Sequence, residues 1–376
     1  MKNTASKVTA IVMLAFVSFF LVFTIIGHKT NSSSYKQDSS EHITELSFET
    51  LIDGRFSDTL NTLITRNFPA RNSWIAANSA FQAQFNESIV NGVYVDEKML
   101  LNADISSRPS SEKSAQEIKK FRSLYSGAMY FVAVPTSSGV YEEYLPRHLL
   151  SNPESRQINT FYNSLGADIR QIDAYNILKM LNENYIYYRN DTKWTSYGAY
   201  CVYRTVIQKL GFIPIAYDKY TIEHVTNEFR GNLYSRTLYS GVKSDMIDSY
   251  KYPSGAEIVE CIGFDNNGQV QKQTICDKEK LDSGNKYDFY AGGELPLLKI
   301  STSVNNERKI LVIKDSFGDC FLPFLVQHYS EIAVVSPENL ECSLSELINT
   351  ADYEQTLFIF GIDSICDSSN FEKLNL

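Results

Sequence analysis

Three buried-type strand segments, apolar throughout except for Lys309 and Thr356, divide the C-terminal third of the chain: Lys309 to Ile313, Ile332 to Val335 and Thr356 to Phe360. Helix-length segments separate them. A strand that is apolar on every residue is covered on both faces, which is how strands of a parallel sheet read. Ala128 to Val134, ending at Pro135, is a run of the same kind. Strands alternating with helices define an α/β chain with a doubly wound parallel sheet. The expectation is a three-layer core with ligands at the C-terminal ends of the strands.

The remaining elements follow from periodicity. Phe48, Leu51, Ile52, Phe56, Leu60, Leu63 and Ile64 sit at helical spacing. Further helices are expected over 72–85, 111–124, 153–165, 174–182 and 195–210, and a hairpin over Ile89 to Val95 with Met99-Leu100. Residues 219–277 change to short alternating runs and turns, and read as a β-rich insertion.

The N-terminus carries the segment Val8 to Gly27, 20 residues without a charge. At about 1.5 Å per residue it is long enough for a hydrocarbon core of about 30 Å. No small-x-small cleavage pattern precedes His28-Lys29, so the segment reads as an uncleaved signal anchor. Lys2 and Lys7 favour a cytoplasmic tail over 1–7. The polar run Asn31 to Glu41 lies within a tether over 28–45, and 46–376 form the extracytoplasmic domain of a single-pass membrane protein.

A net charge of −9, without a basic cluster, argues against nucleic acid as a partner. With 24 Tyr and 22 Phe, the chain has rings both for strand cores and for sugar faces. None of the six cysteines forms a CxxC or a zinc-like cluster with histidine, and neither a metal nor a cofactor is expected. Cys261 and Cys276 bracket the turn Asn266-Asn267-Gly268; they form either a cross-hairpin disulfide or a pair of buried thiols.

Two segments carry candidate chemistry. In Lys309-Ile-Leu-Val-Ile-Lys-Asp315-Ser316-Phe317-Gly318 a buried strand ends in Asp-Ser and turns into a helix. Ser316 there projects from the strand tip, beside amides suited to an oxyanion, and serine is equally a good helix cap. In Asp191-Thr192-Lys193-Trp194-Thr195-Ser196 a charged pair precedes a helix start that Thr195 or Ser196 can cap.

Taken together these segments resemble the DHHW family of Gram-positive surface proteins, related to SGNH-hydrolase-like accessory proteins that O-acetylate alginate and other exopolysaccharides. The resemblance covers about residues 45 to 376. It rests on Phe68-Pro69 through Trp74, Asn91-Gly92-Val93-Tyr94, Asp191-Thr-Lys-Trp-Thr where the family has Asp-x-His-Trp-Thr, and Asp315-Ser316-Phe317 followed by Pro323-Phe324-Leu325. It implies an SGNH-like fold with Ser316 as nucleophile, Asp191 as orienting acid and position 193 as base.

Position 193 is lysine. A serine needs a base that is neutral near neutral pH, and an adjacent carboxylate keeps lysine charged. His328 follows Ser316 by 12 residues, about 18 Å along one helix; His148 and His224 lie in other segments. The family's oxyanion Gly and Asn have Gly292-Gly293-Glu294 as their nearest counterpart, with an anion in place of the amide.

The leading expectation is a degenerate site that serves cell-surface polysaccharide modification or assembly by binding, with Trp194 and neighbouring tyrosines as a sugar face or as core. The resemblance also implies partnership with a membrane-embedded acyltransferase. One alternative is an active O-acetyltransferase or acetylesterase using Ser316 with neutral Lys193. The other is a structural surface protein without a working site.

Overall fold

A computed structural model describes residues 11–15, 18–19, 70–84, 88–291 and 295–374. The tether, the helix expected over 48–64, Phe68-Pro69, Gly292-Gly293-Glu294 and most of the span Val8 to Gly27 lie outside the described residues. Residues 11–15 and 18–19 of that span are helical. Among the described residues no helix is long and apolar enough to cross a membrane. The chain divides into two units, Met1–Gln84 and Phe85–Leu376. In the first, helix α1 (Arg71–Gln84) carries Trp74, which is exposed.

The second unit is mixed α/β. Its main sheet has eight strands in the order β5-β4-β13-β11-β12-β10-β8-β9. The strands are β4 (Ala128–Val134), β5 (Ile169–Ile172), β8 (Ile258–Phe264), β9 (Val270–Lys272), β10 (Leu297–Thr302), β11 (Lys309–Lys314), β12 (Glu331–Val335) and β13 (Gln355–Gly361). From β5 to β12 neighbours are parallel; β10, β8 and β9 extend the sheet antiparallel.

Alternation along each strand builds two cores. Tyr130, Val132, Ile310, Val312, Leu357 and Ile359 face one of them. Met129, Phe131, Leu311, Ile313, Phe358 and Phe360 face the other. Each of these side chains is almost wholly buried, and burying an aliphatic or Phe side chain of this kind contributes about 1.5–3 kcal/mol. Helices α2 (Glu112–Leu124) and α3 (Glu154–Leu165) cover the second core; α4 (Ala174–Lys179) and α5 (Ser196–Lys209) cover the first. The three layers are those read from the apolar runs.

The segment 219–277 does not form one insertion. Strands β6 (Thr221–Phe229) and β7 (Asp245–Lys251) make a separate two-stranded ribbon, whereas β8 and β9 join the main sheet. The hairpin around Asn267 forms, but Cys276 lies beyond β9 and bridges to Tyr290 instead. All six cysteines are free, and burial pushes the Cys261 and Cys276 thiols up to about 11. Upstream, β1 (Ile89–Val90), β2 (Val93–Val95) and β3 (Leu100–Asn102) form a small antiparallel sheet. Asn91 and Gly92 turn between β1 and β2 with φ of 49° and 71°, the left-handed pair that a two-residue hairpin requires.

Candidate functional site

From β11 the chain passes to β12 on one side and returns through β13 on the other, so strand order reverses around β11. Ligand crevices form outside the carboxyl ends of strands at such reversals. Ser316 lies there, partly exposed, directly after the strand.

The turn at Ser316 is held from below by Asp315. Its Oδ1 accepts from the Phe317 amide at 2.9 Å and its Oδ2 from the Gly361 amide at 2.8 Å, which ties the turn to the end of β13. Burial raises the Asp315 carboxyl to about 6, against the pull of those donors. The Gly318 amide donates to the Asp315 carbonyl at 3.0 Å. The amides of Phe317 and Gly318 are therefore spent inside the turn rather than aimed at a ligand. Ser316 keeps its own N–H without a partner among the described residues.

No single helix runs from Ser316 to His328. A 3-10 turn, Ser316–Phe321, leads into one α-helical turn, Leu322–Leu325, with Pro323 in its first turn, where its missing N–H costs nothing. Within the first segment, Asp319 pairs with the buried Lys314 at 2.5 Å, and Lys314 also donates to Ser336 Oγ at 3.0 Å.

The Asp191–Trp194 loop folds against this turn. Trp194 is fully buried, and its indole N–H donates to the Phe317 carbonyl at 2.9 Å. Its ring stacks on Phe321, with centroids 6.4 Å apart. Trp194 is therefore a core strut and not a sugar face. Tyr187, Tyr188 and Tyr200 are buried likewise. Thr195 caps α5 by accepting from the Gly198 amide at 3.2 Å.

Asp191 is buried and well supplied with donors. Its Oδ1 accepts from the Lys193 amide at 3.0 Å, and its Oδ2 from the Asn232 amide at 2.9 Å. Gly231 makes room for it: a Cβ there would sit 2.0 Å from Asp191 Oδ2. The Lys193 ammonium lies 3.5 Å from Asp191 Oδ1 and 5.1 Å from the centroid of the Tyr287 ring. The Tyr287 hydroxyl in turn donates to the Ser316 carbonyl at 3.1 Å, so one ring touches both Lys193 and Ser316. Burial by itself would lower the Lys193 pKa; Asp191, Asp315 and Asp319 together outweigh it and hold the ammonium above its ordinary range.

The Ser316 hydroxyl makes no side-chain hydrogen bond among the described residues. Lys193 is paired with Asp191 and lies over the Tyr287 ring whose hydroxyl bonds the Ser316 carbonyl. Among the described residues, each histidine lies in another environment. His328 is buried against the Tyr203 hydroxyl at 2.7 Å, and burial pushes its pKa down to about 4. His224 binds Asp248 at 2.6 Å on the ribbon, and His148 is exposed on a 3-10 turn. Sequence reading missed Asp315 as the anchor of the turn, and Tyr287 and Gly231 as supports of the site. The last two are far from Ser316 and Asp191 in sequence, and no local pattern marks them.

A serine at the tip of a central strand, with an Asp-x-x-Trp loop locked onto it, defines a mostly parallel α/β protein with a strand-end site. A family model described as DHHW protein matches residues 112–335, more than half of the chain, and the chain belongs to that family. Among solved structures, a DHHW family protein from Eubacterium siraeum is 21% identical, with a TM-score of 0.66, over 77% of this chain and 97% of that one. Bacillus cereus PatB1, solved with a sulfonyl adduct, is 20% identical, with a TM-score of 0.61, over 75% of this chain and 98% of that one. The same protein in a second structure gives 21% and 0.59 over 74% and 99%. At these identities the likeness is one of fold. No protein of curated function matches the chain.

Proposed function

We propose that this chain is a membrane-anchored, extracytoplasmic DHHW protein with a degenerate SGNH-like site, which supports cell-surface polysaccharide modification or assembly by binding. Residues 8–27 are its anchor, and a membrane-embedded acyltransferase is its partner of choice. Ser316 and Asp191 keep the places of nucleophile and orienting acid, and Lys193 stands where the base belongs.

The observation that carries this reading is the pairing of Lys193 with Asp191. Three carboxylates keep the ammonium charged, so it cannot accept the serine proton. Loss of the base of a triad removes several powers of ten in rate and leaves binding largely in place. An active Ser–Lys enzyme would need Lys193 neutral and bonded to Ser316.

The test is hydrolysis of p-nitrophenyl acetate by the full chain in detergent, from pH 6 to 10. The native chain is expected to be inert and Lys193→His to gain turnover that a further Ser316→Ala removes. Native turnover that rises with pH and vanishes in Ser316→Ala would replace this reading with the Ser–Lys enzyme. No turnover in Lys193→His would remove the support for a degenerate catalytic site and leave the reading to sugar binding alone.

A further inference from the structure

Away from Ser316, one face of α5 is turned to solvent. Tyr197, Cys201, Arg204 and Gln208 recur at the spacing that places side chains on one side of a helix. With Tyr217 on the next turn and Ile215 beside it, they line an open groove of about 700 Å³. That volume lies in the range of small-ligand sites. None of its lining residues belongs to the Ser316 turn or the Asp191 loop.

Two features say what the groove suits. The first is aromatic. Tyr217 is 43% exposed, and its ring packs against Tyr197 edge-on at 5.5 Å, Tyr200 at 5.3 Å and Tyr250 at 6.2 Å, which holds it in the groove wall. A ring held this way offers an apolar face for the C–H face of a pyranose at little cost in rotamer freedom.

The second is charge. Arg204 is exposed and makes no ion pair or hydrogen bond among the described residues. Its guanidinium acts into the groove: burial raises the Tyr197 and Tyr200 hydroxyls and the Cys201 thiol, and Arg204 opposes that rise at all three. Asp218 acts on Tyr200 in the opposite sense, more weakly. A chain of net charge −9 thus presents here an unpaired cation beside an aromatic wall. Guanidinium binds carboxylate through paired hydrogen bonds.

We infer that this groove binds an acidic pyranose unit of a polysaccharide, with the sugar ring on Tyr217 and its carboxylate on Arg204. The inference rests on the polysaccharide reading above and moves the binding surface from the Ser316 site to the face of α5.

Titration calorimetry of the full chain in detergent with trigalacturonate and with maltotriose tests it. Trigalacturonate is expected to bind, and maltotriose to bind roughly tenfold more weakly or not at all. Tyr217→Ala and Arg204→Gln are each expected to weaken trigalacturonate roughly tenfold, with melting curves confirming both folds. No trigalacturonate binding, equal binding of the two sugars, or binding indifferent to both substitutions would overturn the inference. Turnover gained in Lys193→His does not depend on Tyr217 or Arg204, so failure of the groove and failure of the proposed function are told apart.

Discussion

Lys193 and Asp191 are joined twice: the Asp191 carboxylate accepts from the Lys193 amide at 3.0 Å and faces the Lys193 ammonium at 3.5 Å. The two residues thus form a fixed ion pair within one tight loop. Because the Asp191 carboxylate is also held by the Asn232 amide, the arrangement does not need lysine to keep its shape.

Lys193→Met should therefore fold and lose stability moderately. The lysine side chain is 16% exposed and Asp191 is 4% exposed, between a surface and a fully buried pair, so a loss of about 1–2 kcal/mol is expected. Its pH dependence has a definite sign. The folded-state pKa of Lys193 is raised, so its contribution is full below the ordinary lysine pKa of about 10.4 and falls as pH rises above it. Urea denaturation of both proteins at pH 8 and near pH 11 should show the gap between them narrowing. A constant gap would place the effect in packing rather than charge.

Trp194→Phe probes the strut between the two halves of the site. Phenylalanine keeps ring contact with Phe321 but removes the indole N–H from the buried Phe317 carbonyl, which keeps the weaker Cys320 thiol at 3.9 Å as a donor, a loss of about 0.5–1.5 kcal/mol. The chain has two tryptophans, and Trp74 is exposed, so this variant should also lose the buried, blue-shifted part of the emission. Unchanged stability would mean that Trp194 does not hold the Ser316 turn.

The sequence made the fold legible where burial is two-sided. Ala128 to Val134 reads as a strand over its full length because both faces need apolar residues. Strand β5 was missed because Arg170 and Gln171, in its middle, are exposed at the sheet edge. Strand β10 was missed because Lys299 and Ser301 interrupt its apolar residues. Ser316, Asp191 and Lys193 were singled out from short motifs, and the structure folds their two segments against each other. The role of Trp194 was not legible, since its partner is a carbonyl 123 residues away. Of the two readings left open for Cys261 and Cys276, the structure gives free thiols, because Gln273, not Cys276, stands opposite Cys261.

Asp315→Asn tests the anchor of the Ser316 turn. Asp315 accepts from two amides, and asparagine would set an NH2 donor against one of them, so stability should fall by about 1–3 kcal/mol. Burial raises the native carboxyl to about 6, above its unfolded value, so its folded state binds the proton more tightly. That contribution is full below the unfolded pKa and is lost as pH rises through about 6. Denaturation at pH 4, 5, 6 and 7 should show the advantage of the native protein over Asp315→Asn shrinking with pH. An advantage that grows with pH would show that the amide donors outweigh burial.

Gly231→Ala attacks the site from the far side of Asp191. Gly231 has an ordinary φ of −84°, so alanine meets no backbone strain, only space: its Cβ would fall 2.0 Å from Asp191 Oδ2 and 2.4 Å from Asp191 Cβ. A shift to relieve this would stretch the bond from the Asn232 amide and the approach to Lys193. Overpacking of this kind costs about 1–3 kcal/mol. If Asp191 is the element that gives way, Asp191→Ala should remove the part of the penalty that comes from the carboxylate, while the Asp191 Cβ, 2.4 Å from the new methyl, keeps the rest. Urea denaturation of Gly231→Ala, Asp191→Ala and the double variant closes the cycle. A double variant no more stable than the sum of the two single losses would mean that Gly231 is small for some reason other than the carboxylate beside it.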